Sequence, residues 1–247
     1  MWFVILGLAG VGAWLISTIS GGGSPFILVP IINLMIDVSA VPPVVTIGML
    51  IGNAHRAVMF GKEVDWQITK WYVPGAIVGG VLGAFTYSQF HAQWLQVAIG
   101  LFLASSIFTY GFGQKEKSFS VSAWYFLPGG VLYAFLSGVI GSIGPVLNPF
   151  YLNYGLLKER MIGTKSVHMV AVHLIKIIAY AAFGSLHPEY LVYGLLIGIA
   201  AIPGNWLGQM VLQRVSDRQF RLLVISLVTV SGLFILWQQR DFFGISI

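Results

Sequence analysis

The chain has 247 residues, 57% hydrophobic and 9% charged, with a formal net charge of +5. Soluble domains average about 25% charged residues, so this composition excludes a water-soluble globule and selects an integral membrane protein. There is no cysteine, which excludes disulfides, thiolate metal sites and cysteine nucleophiles.

Ten apolar segments follow one another, near 2–19, 25–36, 44–60, 71–88, 94–112, 122–138, 146–157, 163–183, 190–211 and 220–238. The first is apolar from Trp2 onward and lacks a basic leader, so it is expected to remain as a helix. Eight segments have the roughly 17–22 residues that cross a hydrocarbon core. Segments 25–36 and 146–157 are shorter, and each follows a cluster of small residues. These clusters are Ser20-Gly21-Gly22-Gly23-Ser24-Pro25 and Gly141-Ser142-Ile143-Gly144-Pro145. The expected fold class is all-α: a polytopic transmembrane helical bundle with one short or broken helix per half.

Landmarks recur along the chain. Pro30 and Pro149 stand 119 positions apart, and Phe60-Gly61 precedes Phe183-Gly184 by 123. Gly79-Gly80-Val81-Leu82-Gly83 precedes Gly204-Asn205-Trp206-Leu207-Gly208 by 125. The common order predicts two repeats of five segments. The divisions fall at residues 1–113, a linker 114–121, residues 122–240 and a tail 241–247. Basic residues orient the plan, because Lys and Arg accumulate on the cytoplasmic side. If all ten segments cross from an outside N-terminus, that side receives Lys62, Lys70, Lys115, Lys117, Lys158, Arg160, Lys165, Arg214, Arg218 and Arg221. The outer side receives Arg240 alone. An odd number of crossings per repeat inverts the second relative to the first, as in many secondary transporters. Both termini are then outside. Trp2, Trp66, Trp71, Trp94, Trp124 and Trp237 fall near segment ends, where an interfacial belt is expected, whereas Trp14 and Trp206 sit deeper.

A helix break in lipid is tolerated only where the freed backbone groups are buried in protein or line a wet cavity. A helix that starts after the break turns its free N–H groups and positive dipole end into that space, which suits an anion. Gly21, Gly22, Gly23 and Ser24, with Gly141, Ser142 and Gly144, are therefore candidate substrate-binding positions. The competing reading is close helix packing. Packing is the simpler account of Gly75, Gly79 and Gly83, and of Gly194 and Gly198.

Arg56 lies in the third segment with Asn53 and His55, and Lys176 in the eighth with His168, His173 and Tyr180. His173, Lys176 and Tyr180 share one helix face. Lys176 is about 16 Å beyond Lys165 at helical rise and cannot easily reach the cytoplasmic surface. Intramembrane charges mark substrate or proton paths. Asn53, Arg56, His173 and Lys176 join the substrate-binding candidates, and His55 and His173 are the candidate proton relay. No Asp or Glu lies deep in a segment, which selects an anion as cargo. There is no HExxH or other catalytic constellation, and neither an enzyme nor a metal or other cofactor is expected.

Gly21-Gly22-Gly23 with Val29-Pro30 after the first segment, the second cluster with Pro149, and the duplicated plan resemble the TauE/SafE family of sulfite exporters over essentially the whole chain. The second half departs from the family pattern, which usually has a fuller glycine triplet where Gly141-Ser142-Ile143-Gly144-Pro145 stands here. The resemblance implies a bacterial inner-membrane permease for sulfite, an organosulfonate or thiosulfate. The resulting expectation is a secondary-active transporter working by alternating access, with proton coupling as an option. Its partners are the sulfur oxyanion and the lipid bilayer, without nucleic acid, and a homodimer is compatible with this reading. Two alternatives stay open: an anion channel on the same scaffold, and a non-transporting membrane protein in which the breaks serve packing.

Overall fold

The computed structural model describes residues 2–36, 40–86, 93–109, 118–140, 145–182 and 186–240. Among them run ten helices and no strand: α1 (Trp2–Ser20), α2 (Ser24–Asn33), α3 (Val41–Met59), α4 (Trp66–Thr86), α5 (Gln93–Thr109), α6 (Phe126–Ile140), α7 (Asn148–Tyr154), α8 (Lys158–Ala182), α9 (Pro188–Leu212) and α10 (Asp217–Gln238). All ten expected segments are helices. The two short ones are α2, with 10 residues, and α7, with 7.

Among the described residues, four helices are by themselves long and apolar enough to cross a bilayer: α1, α8, α9 and α10. That is fewer than the eight expected. The described parts of α5 and α6 span 17 and 15 residues. α3 has 19 residues but carries Asn53, His55 and Arg56. Of these, Asn53 and Arg56 are buried in the protein, so low apolarity in α3 reflects an interior polar site.

Glycine seams set the packing. Gly75, Gly79 and Gly83 of α4 lie against the backbone of Leu127, Val131 and Phe135 in α6. A methyl group at Gly79 would overlap the Val131 carbonyl. In α9, Gly194 and Gly198 face Ile47 and Ile51 of α3, and Gly204 and Gly208 face Val11, Leu15 and Thr18 of α1. The four-residue glycine spacing thus serves close backbone approach, as expected. Residue numbers rise together across these seams, so α1, α3 and α9 run parallel, as do α4 and α6.

Two hydrophobic cores result. One joins α1, α2, α3 and α9 around Trp14, Leu28, Val44 and Ile197. The other joins α4 to α8 and α10 around Tyr72, Leu103, Tyr133, Tyr151, Val172 and Val224. Each core draws helices from both halves of the sequence. Large apolar side chains such as Leu8, Val58, Ile178 and Trp206 face outward, where lipid would cover them. Trp66, Trp71, Trp124 and Trp237 are exposed near helix ends, while Trp14 is fully buried. The side chains of Trp2 and Trp94 lie outside the described part.

One end of the bundle gathers basic residues. Arg160 pairs with Asp65 at 3.2 Å, and the Asp65 N–H donates to Thr164 Oγ1 at 2.9 Å. Asn153 Oδ1 accepts from the N–H groups of Ser118 and Phe119 at 2.7 and 3.1 Å. The α3–α4 loop, the approach to α6 and the α7–α8 turn therefore meet at this end. α9 runs parallel to α3 and delivers Arg214 and Arg218 there as well. Lys115 and Lys117 lie outside the described residues.

Candidate functional site

α1 stops at Ser20, and Gly21, Gly22 and Gly23 follow with φ of 76°, 146° and 101°. All three lie in the region that only glycine enters readily. Gly22 N–H donates back to Ser17 O at 2.8 Å. α2 then begins at buried Ser24 with no side-chain cap, and Pro25 stands in its first turn. Proline suits that place, since a first-turn N–H has no partner within the helix.

Lys165 of α8 reaches this break. Its Nζ donates to Gly21 O at 2.7 Å and to Asn148 Oδ1 at 2.6 Å. Asn148, the first residue of α7, donates from Nδ2 to the same Gly21 oxygen at 3.2 Å. A Cβ built on Gly22 would stand 2.9 Å from Nζ. The break before α2 and the start of α7 thus share one junction. From it, α2 leads toward the end where α3 begins and α7 toward the end where α8 begins.

Lys165 is absent from the expected site residues, because its nearness in sequence to Lys158 and Arg160 groups it with the cytoplasmic charge. Yet it is 6% exposed and seven residues inside α8. Helical register carries the signal that locates it: Lys165, His168, Val172 and Lys176 follow at one-turn spacing, and all four are buried.

Arg56 approaches from α3. Nη1 donates to Ser17 Oγ at 3.1 Å and Nη2 to Asn53 Oδ1 at 2.6 Å. Asn53 is itself anchored to Met49 O through Nδ2. The guanidinium lies 4.8 Å over the Trp14 ring, and its buried Nε has no hydrogen-bond partner. Ser17 and Gly21 are one turn apart, so Arg56 and Lys165 dock on adjacent turns at the C-terminal end of α1. Carbonyls there carry the negative end of the helix dipole.

The other expected residues are distributed more widely. His55 adjoins Arg56 in sequence but turns to α9, where its Nδ1 meets Asn205 Nδ2 at 3.3 Å. Asn205 also donates to Gly52 O and accepts from Thr18 Oγ1. Lys176 is 4% exposed and 6.0 Å from the Tyr180 ring, three turns along α8 from the glycine break. His173 lies three residues before Lys176 on α8, and its buried Nδ1 has no hydrogen-bond partner. Lys165 thus reaches the break, and Lys176 lies farther along the same helix. Gly141, Ser142 and Gly144 lie outside the described residues. A second rung ties α7 to α8: Tyr151 OH meets His168 Nδ1 at 2.7 Å. His168 Nε2 meets Thr69 Oγ1, and its ring stacks on Tyr72 at 3.9 Å.

The described acidic residues Glu63, Asp65, Glu159, Glu189 and Asp217 all sit in loops or first helical turns. Every hydrogen-bond partner shown for Arg56 and Lys165 is neutral. Buried charge is costly without a counter-charge, so such a junction favours an anion. Among the described residues no cluster of His, Asp and Glu could hold a metal ion.

These features define a multi-pass helical membrane protein with a cationic polar junction in its interior. The family model for the sulfite exporter TauE/SafE matches residues 6–235, and the chain belongs to that family. Membership implies a membrane transporter of the sulfite-exporter type rather than an enzyme. Neither curated proteins nor solved structures gave a match.

Proposed function

We propose that this protein is a secondary-active transporter of a small sulfur oxyanion, working by alternating access in the bacterial inner membrane. The observation that carries the reading is Lys165, held between Gly21 O and Asn148 Oδ1 where both short helices begin. Arg56 stands one turn away, and all the partners shown for both are neutral.

Helix pairing supports an inverted repeat. Exchanging the first five helices with the last five turns the α1–α9 seam into α6–α4 and α3–α9 into α8–α4. It leaves α3–α8 and α5–α10 as self-paired contacts. The seams agree by residue: Gly79 and Gly204 face Val131 and Val11, while Gly83 and Gly208 face Phe135 and Leu15. α3 and α8 start from opposite ends. With the basic end cytoplasmic, both termini lie outside. The moving bodies in this reading are the two cores rather than the two sequence halves. His173 is better placed than His55 for a proton step, since His55 is engaged by Asn205.

Saturable uptake of labelled sulfite or thiosulfate into proteoliposomes, driven by a gradient, is the expected result. Fast conductance without saturation would favour a channel. Anion-dependent thermal stabilisation should accompany uptake, because a ligand that binds only the folded state raises its stability. Failure of sulfite, sulfate, thiosulfate and organosulfonates alike to stabilise the protein would end this reading.

A further inference from the structure

We infer that the junction is built for a doubly charged oxyanion without a cationic substituent, in preference to a monoanionic sulfonate or an amino-sulfonate zwitterion. The inference rests on the transport reading and narrows its substrate class. Trp14 and Ser17 share one face of α1 by their spacing, and Gly21 follows just beyond its last residue. Arg56 docks on the first two through its ring contact and its bond to Ser17, and Lys165 docks on the third. Two cations are thereby fixed on adjacent turns.

Donors and acceptors are unequal at this place. Trp14 Nε1 and Arg56 Nε are buried donors without partners, on residues 0% and 5% exposed. The Lys165 ammonium has three N–H donors, and two are engaged. The acceptors are already taken: Gly21 O by Lys165 and Asn148, Asn148 Oδ1 by Lys165, Ser17 Oγ and Asn53 Oδ1 by Arg56. The junction has surplus positive charge and surplus donors, with its acceptors engaged. A dianion rich in oxygen acceptors compensates both cations. A monoanion leaves one uncompensated, and a substrate ammonium finds two like charges. Discrimination of this kind comes from repulsion as much as attraction. Farther along α8, Lys176 adds positive charge, so it does not reverse the preference.

The test is titration of the purified full-length protein at constant ionic strength with thiosulfate, sulfate, methanesulfonate and taurine. Thiosulfate and sulfate are expected to bind about tenfold or more tighter than methanesulfonate, with taurine weakest. Lys165→Gln should reduce that preference to about threefold or less, while Lys165→Arg keeps it. Trp14→Phe, which removes the indole N–H together with part of the ring under Arg56, should weaken thiosulfate binding roughly fivefold. Equal affinity for mono- and dianions would overturn the inference and leave the transport reading standing. So would an undiminished preference in both Lys165→Gln and Arg56→Gln protein that remains monodisperse. Absence of binding by all four anions would overturn the transport-site reading itself, and the inference with it.

Discussion

α2 and α7 occupy matching places in the chain but meet the junction differently. α2 presents backbone: three glycines at positive φ, no side-chain cap, and an apolar body. α7 presents side chains: Asn148 binds Lys165 and Gly21, Tyr151 binds His168, and Asn153 holds residues 118 and 119. The comparison teaches that two short helices at matching places in the chain can divide labour. The break before α2 supplies small size and close approach, and the first residue of α7 supplies the tether that positions the cation.

Substitutions can break this contrast, and the largest effect should come at Gly22. Gly22→Val strains a backbone at φ 146° and displaces Lys165 Nζ, 2.9 Å from the new Cβ. Strain alone costs about 2 kcal/mol, and anion flux into liposomes should fall roughly 100-fold once the cation is displaced. Asn148→Asp should act next. It gives Lys165 an internal counter-charge, so anion affinity falls about tenfold or more in a binding titration while the unliganded protein melts at a higher temperature. Unchanged affinity would separate α7 from the site. Tyr151→Phe leaves His168 Nδ1 without its partner, and denaturation should show a loss of about 1–3 kcal/mol with little change in anion affinity. Smallest is Gly155→Ala at the α7 terminus, where φ is 104°. Its expected cost is about 1 kcal/mol in stability, with flux preserved.

The sequence made the ten segments, the glycine seams and the first break legible, because each depends on local composition. Lys165 was not legible by the same means. Loop proximity placed it with Lys158 and Arg160, while helical register turns it inward to Gly21. Arg56 and His55 show the same limit. They are adjacent in sequence but 100° apart around a helix of about 3.6 residues per turn, so one meets α1 and the other α9. Which side chain reaches which helix is a property of packing, and packing here joins distant parts of the chain.

The glycine seams also bear on the order of assembly during membrane insertion. The α4 groove formed by Gly75, Gly79 and Gly83 is complete before its occupant, α6, has been synthesised. Conversely α1 waits for Gly204 and Gly208 of α9, made only after the seven intervening helices. A nascent chain stopped at residue 113 has an open groove on α4 and an uncovered flank on α1. Neither half can mature ahead of the other, and closure of the α1 seam is deferred until α9 has left the ribosome.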